Sequence, residues 1–276
     1  MLSDHVYRLR LLHHWLGGRR NGVGFFDLLT VALDPTLGRK ARRYIERIDE
    51  EPPYWYVQLR GIPRPLYFPI AVGKFMLEML VVEQFHTRDW HFYQIEPTRL
   101  RSDDIVLDCG AAEGMFSLQA EHLCKRVYAA EPVSMWIEAM TKTFAGSSKF
   151  EILPYALSDA NGELRLSMGI LDSTIADTDD GIMVQSRTVD SLFAERGLPL
   201  TYIKADIEGA ELRMLTGAER TIAANQPRIA ITTYHEAGHA AEISAFLRRV
   251  VPKYRILTKG IEYRAGAPVM LHAWIE

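Results

Sequence analysis

The sequence predicts an α/β protein: a mostly parallel sheet with helices on both faces, preceded by an α/β N-terminal extension of helices and a β-hairpin. Three observations predict it. The run Asp104-Ile105-Val106-Leu107-Asp108-Cys109-Gly110-Ala111-Ala112-Glu113-Gly114 reads as a buried strand and a glycine turn, and the helix Met115–Leu123 follows. Glu131 ends the next apolar run, 21 residues past Gly110. From residue 104 onward, short apolar runs and helical stretches alternate almost to the end of the chain.

Composition sets the outer bounds. With 276 residues, 48% hydrophobic and 24% charged, the chain has room for one large α/β domain with an extension and the balance of an ordinary globular protein. A net charge of -3 offers no basic field for nucleic acid. The longest apolar runs, such as Phe75 to Val82, are broken by Glu78, so no membrane span is expected. Cys109 and Cys124 are too few for a disulfide framework or a zinc set, and reduced thiols in a cytoplasmic compartment are the default expectation. Met1 to Leu16 is basic with leucines, but His13 and His14 interrupt it and no small-residue cleavage site follows, so no signal peptide is expected.

Residues 1–98 form the extension and residues 99–276 the sheet domain in this reading. Asp34-Pro35 is a helix start, an acidic cap before proline, and the helix should run to about Ile48. The aromatic and β-branched run Tyr54–Leu59, then Gly61-Ile62-Pro63, then Leu66-Tyr67-Phe68, predicts a hairpin. Ala71 to Phe85 reads as a helix with Phe75, Met79 and Val82 on one face. Trp90, His91, Phe92 and Tyr93 cluster just before the first strand, either as core packing or as the wall of a substrate pocket. The extension is expected to act as a lid, a homodimer interface, or both.

In the sheet domain, strand Arg126–Ala130 is followed by helix Ser134–Ala145, and Phe150–Ala156 makes a third strand. Asn161-Gly162 is a turn before the alternating strand Glu163–Ser167. Val189–Arg196 is a short helix, Tyr202–Ala205 a fourth strand and Ala210–Ala223 a helix. Arg228–Tyr234 is a fifth strand, before helix Ala240–Val250. The runs Tyr254–Leu257 and Val269–Trp274 have little between them and should form an antiparallel pair at one edge.

The glycine turn is Gly-x-x-x-Gly. A dinucleotide fingerprint needs a middle glycine for the pyrophosphate, and here that position is Ala112. Asp108 would repel a pyrophosphate and suits a ligand with a cationic amine, such as S-adenosylmethionine (SAM), which also lacks phosphate. A carboxylate at Glu131 can accept both ribose hydroxyls. Ala156, Leu157 and Ser158 lie where an adenine would sit.

The blocks Asp108–Gly114, Ala130-Glu131-Pro132, Ala156-Leu157-Ser158-Asp159 and Ile203-Lys204-Ala205-Asp206-Ile207-Glu208-Gly209-Ala210-Glu211 resemble the FkbM family of SAM-dependent methyltransferases. The resemblance covers roughly residues 100 to 250, and the Lys-x-Asp-x-Glu-Gly-x-Glu run is its most specific part; residues 1 to about 95 match no motif. It implies a Rossmann-like seven-stranded sheet with a reversed last strand. It also implies O-methylation, usually of sugar hydroxyls in natural products or glycans, with S-adenosylhomocysteine (SAH) as product. The candidate cofactor contacts are Asp108, Gly110, Ala111, Glu113, Gly114, Phe116, Glu131, Pro132, Ala156, Leu157, Ser158 and Asp206.

Chemistry should occur where the strands end. His235 is the candidate general base, since an unperturbed imidazole titrates near neutrality. Asp206 could orient it, take the proton itself, or help bind a divalent cation with Glu208; the bland alternative is a helix cap. Glu211 suits the first turn of a helix. His235-Glu236-Ala237-Gly238-His239 matches the zinc-protease pattern, but its first His follows a strand and Gly238 interrupts it, so no metal site is assigned on that pattern. The acceptor is expected to be a small molecule or glycan. Methylation of a peptide or lipid carboxylate or amide is the alternative within the class. A nicotinamide oxidoreductase and a non-catalytic binding module are the alternatives outside it.

Overall fold

The computed structural model describes residues 4–167 and 181–276. Helices α1 (Asp4–Leu16) and α2 (Phe25–Leu33) open it, and the sequence reading anticipates neither. Their leucines and phenylalanines are largely exposed, with Leu9, Leu16, Phe26 and Leu33 all at the surface, so burial leaves no clean helical stripe to read. The helix expected from Asp34 to Ile48 stops early, as α3 (Leu37–Ala41), and the chain enters strand β1 (Ile45–Glu51). The reason is tertiary: β1 pairs antiparallel with β2 (Tyr54–Leu59), Ile48 opposite Val57. With β3 (Leu66–Pro69) on the other side of β2, the expected hairpin becomes a three-stranded sheet.

Helix α4 (Lys74–Phe85) forms as expected, but of the expected face only Val82 is buried. It buries Leu77, Val81, Val82 and Gln84, while Phe75 is exposed. The helix is apolar around most of its girth, so sequence does not single out a face. Packing of Leu77, Val81 and Val82 against Leu66, Phe68 and Met115 selects it.

The β-α alternation then runs through β4 (Ile105–Cys109), α5 (Met115–Leu123), β5 (Arg126–Ala130), α6 (Ser134–Thr143) and β6 (Phe150–Leu153). The predicted third strand breaks at Pro154, which has no N–H for a ladder. Ala156–Leu157 becomes a separate strand, β7, in a small sheet of order β7-β9-β8 with β8 (Gly162–Leu166) and β9 (Ile182–Arg187). The short helix α7 (Val189–Leu192) precedes β10 (Tyr202–Ala205). The helix expected over Ala210–Ala223 is two, α8 (Glu211–Thr216) and α9 (Glu219–Asn225). They part at Gly217, where a Cβ would fall on the Ser158 carbonyl oxygen. Strand β11 (Arg228–Thr232), helix α10 (His239–Val250) and strands β12 (Arg255–Lys259) and β13 (Met270–Trp274) complete the chain.

Seven of these strands form one sheet in the order β12-β13-β11-β10-β4-β5-β6. Strands β11, β10, β4, β5 and β6 are parallel, and β13 runs antiparallel to both neighbours, which is the reversed last strand the resemblance implies. Inward-facing residues alternate: Leu107, Cys109 and Ile203 meet helices α7 to α10, while Val106, Val127 and Tyr202 face the opposite side with Phe116 and Tyr93. The extension does not stand apart. Val57, Leu66 and Phe68 share one buried cluster with Ala111, Met115, Trp136 and Met140. No helix among the described residues is long and apolar enough to cross a membrane.

Candidate active site

The register of the parallel strands levels their carboxyl ends. Cys109 lies opposite both Ala130 and Ala205, Ala130 opposite Leu153, and Ala205 opposite Ile231. The next residues, Gly110, Glu131 and Asp206, therefore emerge side by side and line one cleft with Pro132, Ala156 and Leu157. Trp136 and Tyr155 add flat apolar walls at the β6–β7 end.

Gly110 is required by geometry. Its φ is +71°, and a Cβ would collide with the Asp206 carbonyl oxygen. Gly114, at φ +84°, starts α5, and a Cβ there would crowd Met140 and Phe144. Two non-glycine residues of the cleft, Ala112 (φ 45°) and Glu208 (φ 54°), also take the left-handed region, a cost that a packed surrounding must impose.

Glu131 is buried and accepts the Ala112 N–H on Oε2 and the Val133 N–H on Oε1, both at 2.9 Å. Each oxygen keeps a lone pair for a ligand. Burial pushes its carboxyl up to about 7 against those two N–H donors.

Asp108 is placed differently. It lies fully buried beneath the turn and does not line the cleft. Its Oδ1 pairs with Lys204 Nζ at 2.9 Å, and Oδ2 accepts the Ser117 hydroxyl at 2.8 Å. Lys204 also donates to the Gly110 carbonyl at 2.7 Å, so the Lys of the Lys-x-Asp-x-Glu-Gly-x-Glu run ties β10 to the glycine turn. Among the described residues, the carboxylates that do line the cleft are Glu131, Asp206 and Glu208. Ala111, Glu113 and Ser158 are buried near the turn and the β7 end without lining it. Phe116 packs between Tyr93 and Tyr202 in the core.

Asp206 is the hub of a buried polar cluster at the end of β10. Its Oδ2 accepts the Tyr93 hydroxyl at 2.7 Å and lies 3.6 Å from His91 Nε2; its Oδ1 accepts the Thr232 hydroxyl at 3.0 Å. Burial works against the charged form, but His91, His235, Lys204 and the Tyr93 hydroxyl outweigh it and hold the carboxyl below its usual range. His91 is itself buried, with Nδ1 3.4 Å from Glu83 on α4; burial would lower its pKa, but Glu83 and Asp206 raise it to about 9. The aromatic cluster before the first strand is buried: Trp90 packs with Leu11 and Ile261, while His91 and Tyr93 reach Asp206 from behind the cleft lining.

His235 stands just beyond β11 with three carboxylates around it. Nε2 is 3.1 Å from Glu208 and 3.8 Å from Asp206, and Nδ1 is 3.2 Å from Glu211. Burial lowers its pKa, but these acids more than reverse that and raise it to about 10. In this arrangement the acids favour the protonated ring, whereas the sequence suggests a neutral base. Gly238, at φ +83°, lies outside α10 and His239 begins it, so the two histidines do not share a helix interior as the zinc-protease pattern requires. Sequence reasoning does not reach Glu83, Trp136 and Tyr155, and it reaches His91 and Tyr93 only as members of the aromatic cluster before the first strand.

The chain matches the family described as the methyltransferase FkbM domain over residues 80–254. That match begins inside α4, so it takes in Glu83, His91 and Tyr93. No curated protein matches. Among solved structures, a methyltransferase FkbM from Methylobacillus flagellatus KT superposes with a TM-score of 0.51 at 17% identity, covering 92% of this chain and 63% of its own. An rRNA methylase from Streptococcus thermophilus has a TM-score of 0.39 at 14% identity, over 64% of this chain and 90% of that one. A protein from Streptococcus mutans in complex with SAH has a TM-score of 0.39 at 12% identity, over 63% and 89%. The nicotinamide oxidoreductase reading gives way to the family match, which spans the glycine turn, the Glu131 strand end and the Lys204–Glu211 run together. With that match over most of the sheet and its site, the chain belongs to the FkbM methyltransferase family.

Proposed function

We propose that the chain binds SAM in the cleft at the strand ends and transfers its methyl group to a hydroxyl, of a sugar in a glycan or natural product. The observation that carries this reading is the levelling of Glu131 and Asp206 on either side of the Gly110 turn in an FkbM domain. The lining fits the cofactor: a carboxylate for the ribose, Trp136, Tyr155, Ala156 and Leu157 for a flat base, and, among the described residues, no cationic side chain that would call for phosphate. SAM, when bound, supplies an electrophilic methyl on a sulfonium that leaves as a neutral thioether. The protein's own work is alignment, which contributes up to about 7–11 kcal/mol in well-oriented cases.

Asp206 faces the cleft and is held in one orientation by Tyr93 and Thr232. It is the carboxylate that orients the acceptor hydroxyl and takes its proton as the new O–C bond forms. His91 and Glu83 behind it, and His235 beside it, keep it ionised. The experiment is calorimetry of the purified chain with SAM and SAH, followed by incubation with sugar, peptide and lipid acceptors and localisation of the added methyl by mass spectrometry. Binding of both, and a methyl on a sugar oxygen, is the expected result. Binding of neither ends the reading; a methyl on a carboxylate or amide moves the acceptor to the alternative class.

A further inference from the structure

We propose that Asp206, Glu211 and His235 form a site for one divalent cation of the manganese kind at the acceptor end of the cleft. The proposal rests on the methyl-transfer reading and deepens it.

The three residues come from three elements fixed by the sheet: the end of β10, the first turn of α8 and the residue run after β11. One ligand atom from each lies within 4.8 Å of the others. A metal with bonds of about 2.0–2.2 Å draws its ligand atoms to separations of roughly 3–4.4 Å, so little movement is needed. Asp206 Oδ1 and Glu211 Oε1 both lie within reach of the Thr232 hydroxyl, at 3.0 and 3.2 Å. One hydroxyl has one proton to give, so it cannot fully satisfy both oxygens. The orientation of each acid is already set by other groups. Tyr93 holds Asp206 Oδ2, leaving Oδ1 to the site, and the Ile207 N–H holds Glu211 Oε1 at 3.0 Å.

The second observation comes from the imidazole. The His235 side chain is nine-tenths buried, at 10% exposure, and aims into the acids, yet neither ring nitrogen is aligned for a hydrogen bond with any of them. The fully buried Glu211 leaves Oε2 without a hydrogen-bond partner, and His239 Nδ1, likewise unbonded, stands 3.6 Å away. Buried ring nitrogens that face two carboxylates without an aligned hydrogen bond are what a cation would satisfy, the ion displacing the proton that the acids otherwise favour on the ring. Two carboxylates with one imidazole form a mixed hard and borderline set. That set suits manganese better than calcium, which takes 6–8 oxygens, and better than structural zinc, which favours thiolates and several imidazoles. An ion held here gives the acceptor hydroxyl a second anchor beside Asp206.

The test is titration of the chelator-treated full chain with MnCl2, read by the loss of the free-ion electron paramagnetic resonance signal, with MgCl2 and ZnCl2 as parallel calorimetric arms. Saturable binding of one Mn2+ per chain is expected, weakened about 10–100-fold or more in His235→Asn and in Glu211→Gln. Circular dichroism checks the fold of each variant; if the buried Glu211→Gln fails to fold, His235→Asn carries the test. No saturable binding at millimolar MnCl2, binding of Zn2+ with none of Mn2+, or unchanged Mn2+ affinity in His235→Asn overturns the site. SAH calorimetry on the same sample separates the two ideas. SAH bound without Mn2+ removes only the cation, whereas no SAH binding removes the methyl-transfer reading itself.

Discussion

Each oxygen of Glu131 already accepts one backbone N–H, and this fixes the carboxylate where ribose hydroxyls would arrive. Glu131→Gln keeps one acceptor oxygen and turns the other into a donor. It is expected to weaken SAH binding by about 1.5–3 kcal/mol, roughly 10–100-fold in Kd, as measured by calorimetry; an unchanged Kd would remove Glu131 from the cofactor site. His272 gives a pH-dependent outcome away from the cleft. It is fully buried on β13, with Nδ1 2.8 Å from the Thr98 hydroxyl, and burial, helped by Lys259, lowers its pKa to about 3. The unfolded chain binds that proton near pH 6.5. This contribution to stability is therefore complete above about pH 6.5 and is lost as pH falls toward 3, by up to about 1.4 kcal/mol per unit. The stability difference between the native chain and His272→Gln, followed by urea unfolding from pH 7 to 4, should shrink with that slope.

At the scale of elements, the break between α8 and α9 matters more than either helix. Asp190 closes it from α7: Oδ2 accepts the Arg220 N–H at 3.1 Å, and Oδ1 accepts the Thr221 N–H at 2.8 Å and the Thr221 hydroxyl at 2.7 Å. It thus caps a helix that has no capping side chain of its own at Ala218. Asp190→Ala should cost about 1–2 kcal/mol in urea unfolding and leave the SAH Kd unchanged, because the cap lies away from the cleft. The sequence shows a continuous helical run over Ala210–Ala223, and the break comes from the Ser158 carbonyl oxygen pressing on Gly217. The same holds for β1. Its isoleucines and charges fit a helix continuing from Pro35, and only the unpaired edge of β2 makes extended backbone the better choice.

For the molecule as a whole, the shared cluster joining the extension to the sheet decides how it unfolds. Phe68 of β3 is fully buried and packs against Trp136 of α6, with ring centroids 6.2 Å apart. Phe68→Ala should cost about 3–5 kcal/mol and lower the midpoint of one calorimetric transition, because extension and sheet lose a common core. A second, independent transition for residues before 100 would show the extension to be a separate unit.

By itself the sequence determined the alternating sheet, its reversed edge strand, the glycine turn and the strand-end acids Glu131 and Asp206. These depend on periodicity and on residues next to one another in the chain, where local patterns act. Tertiary structure decided which acid faces what. Lys204 takes Asp108 out of the cleft, because β10 lies beside β4. Asp206, Glu208 and Glu211, gathered between the end of β10 and the start of α8, surround His235 and favour its protonated form. His91, more than a hundred residues earlier and backed by Glu83, reaches Asp206 only once α4 has packed against the sheet. Charge interactions of this kind act through space over a few ångströms in a low-dielectric interior, so their sign and size follow from folded distances and not from spacing along the chain.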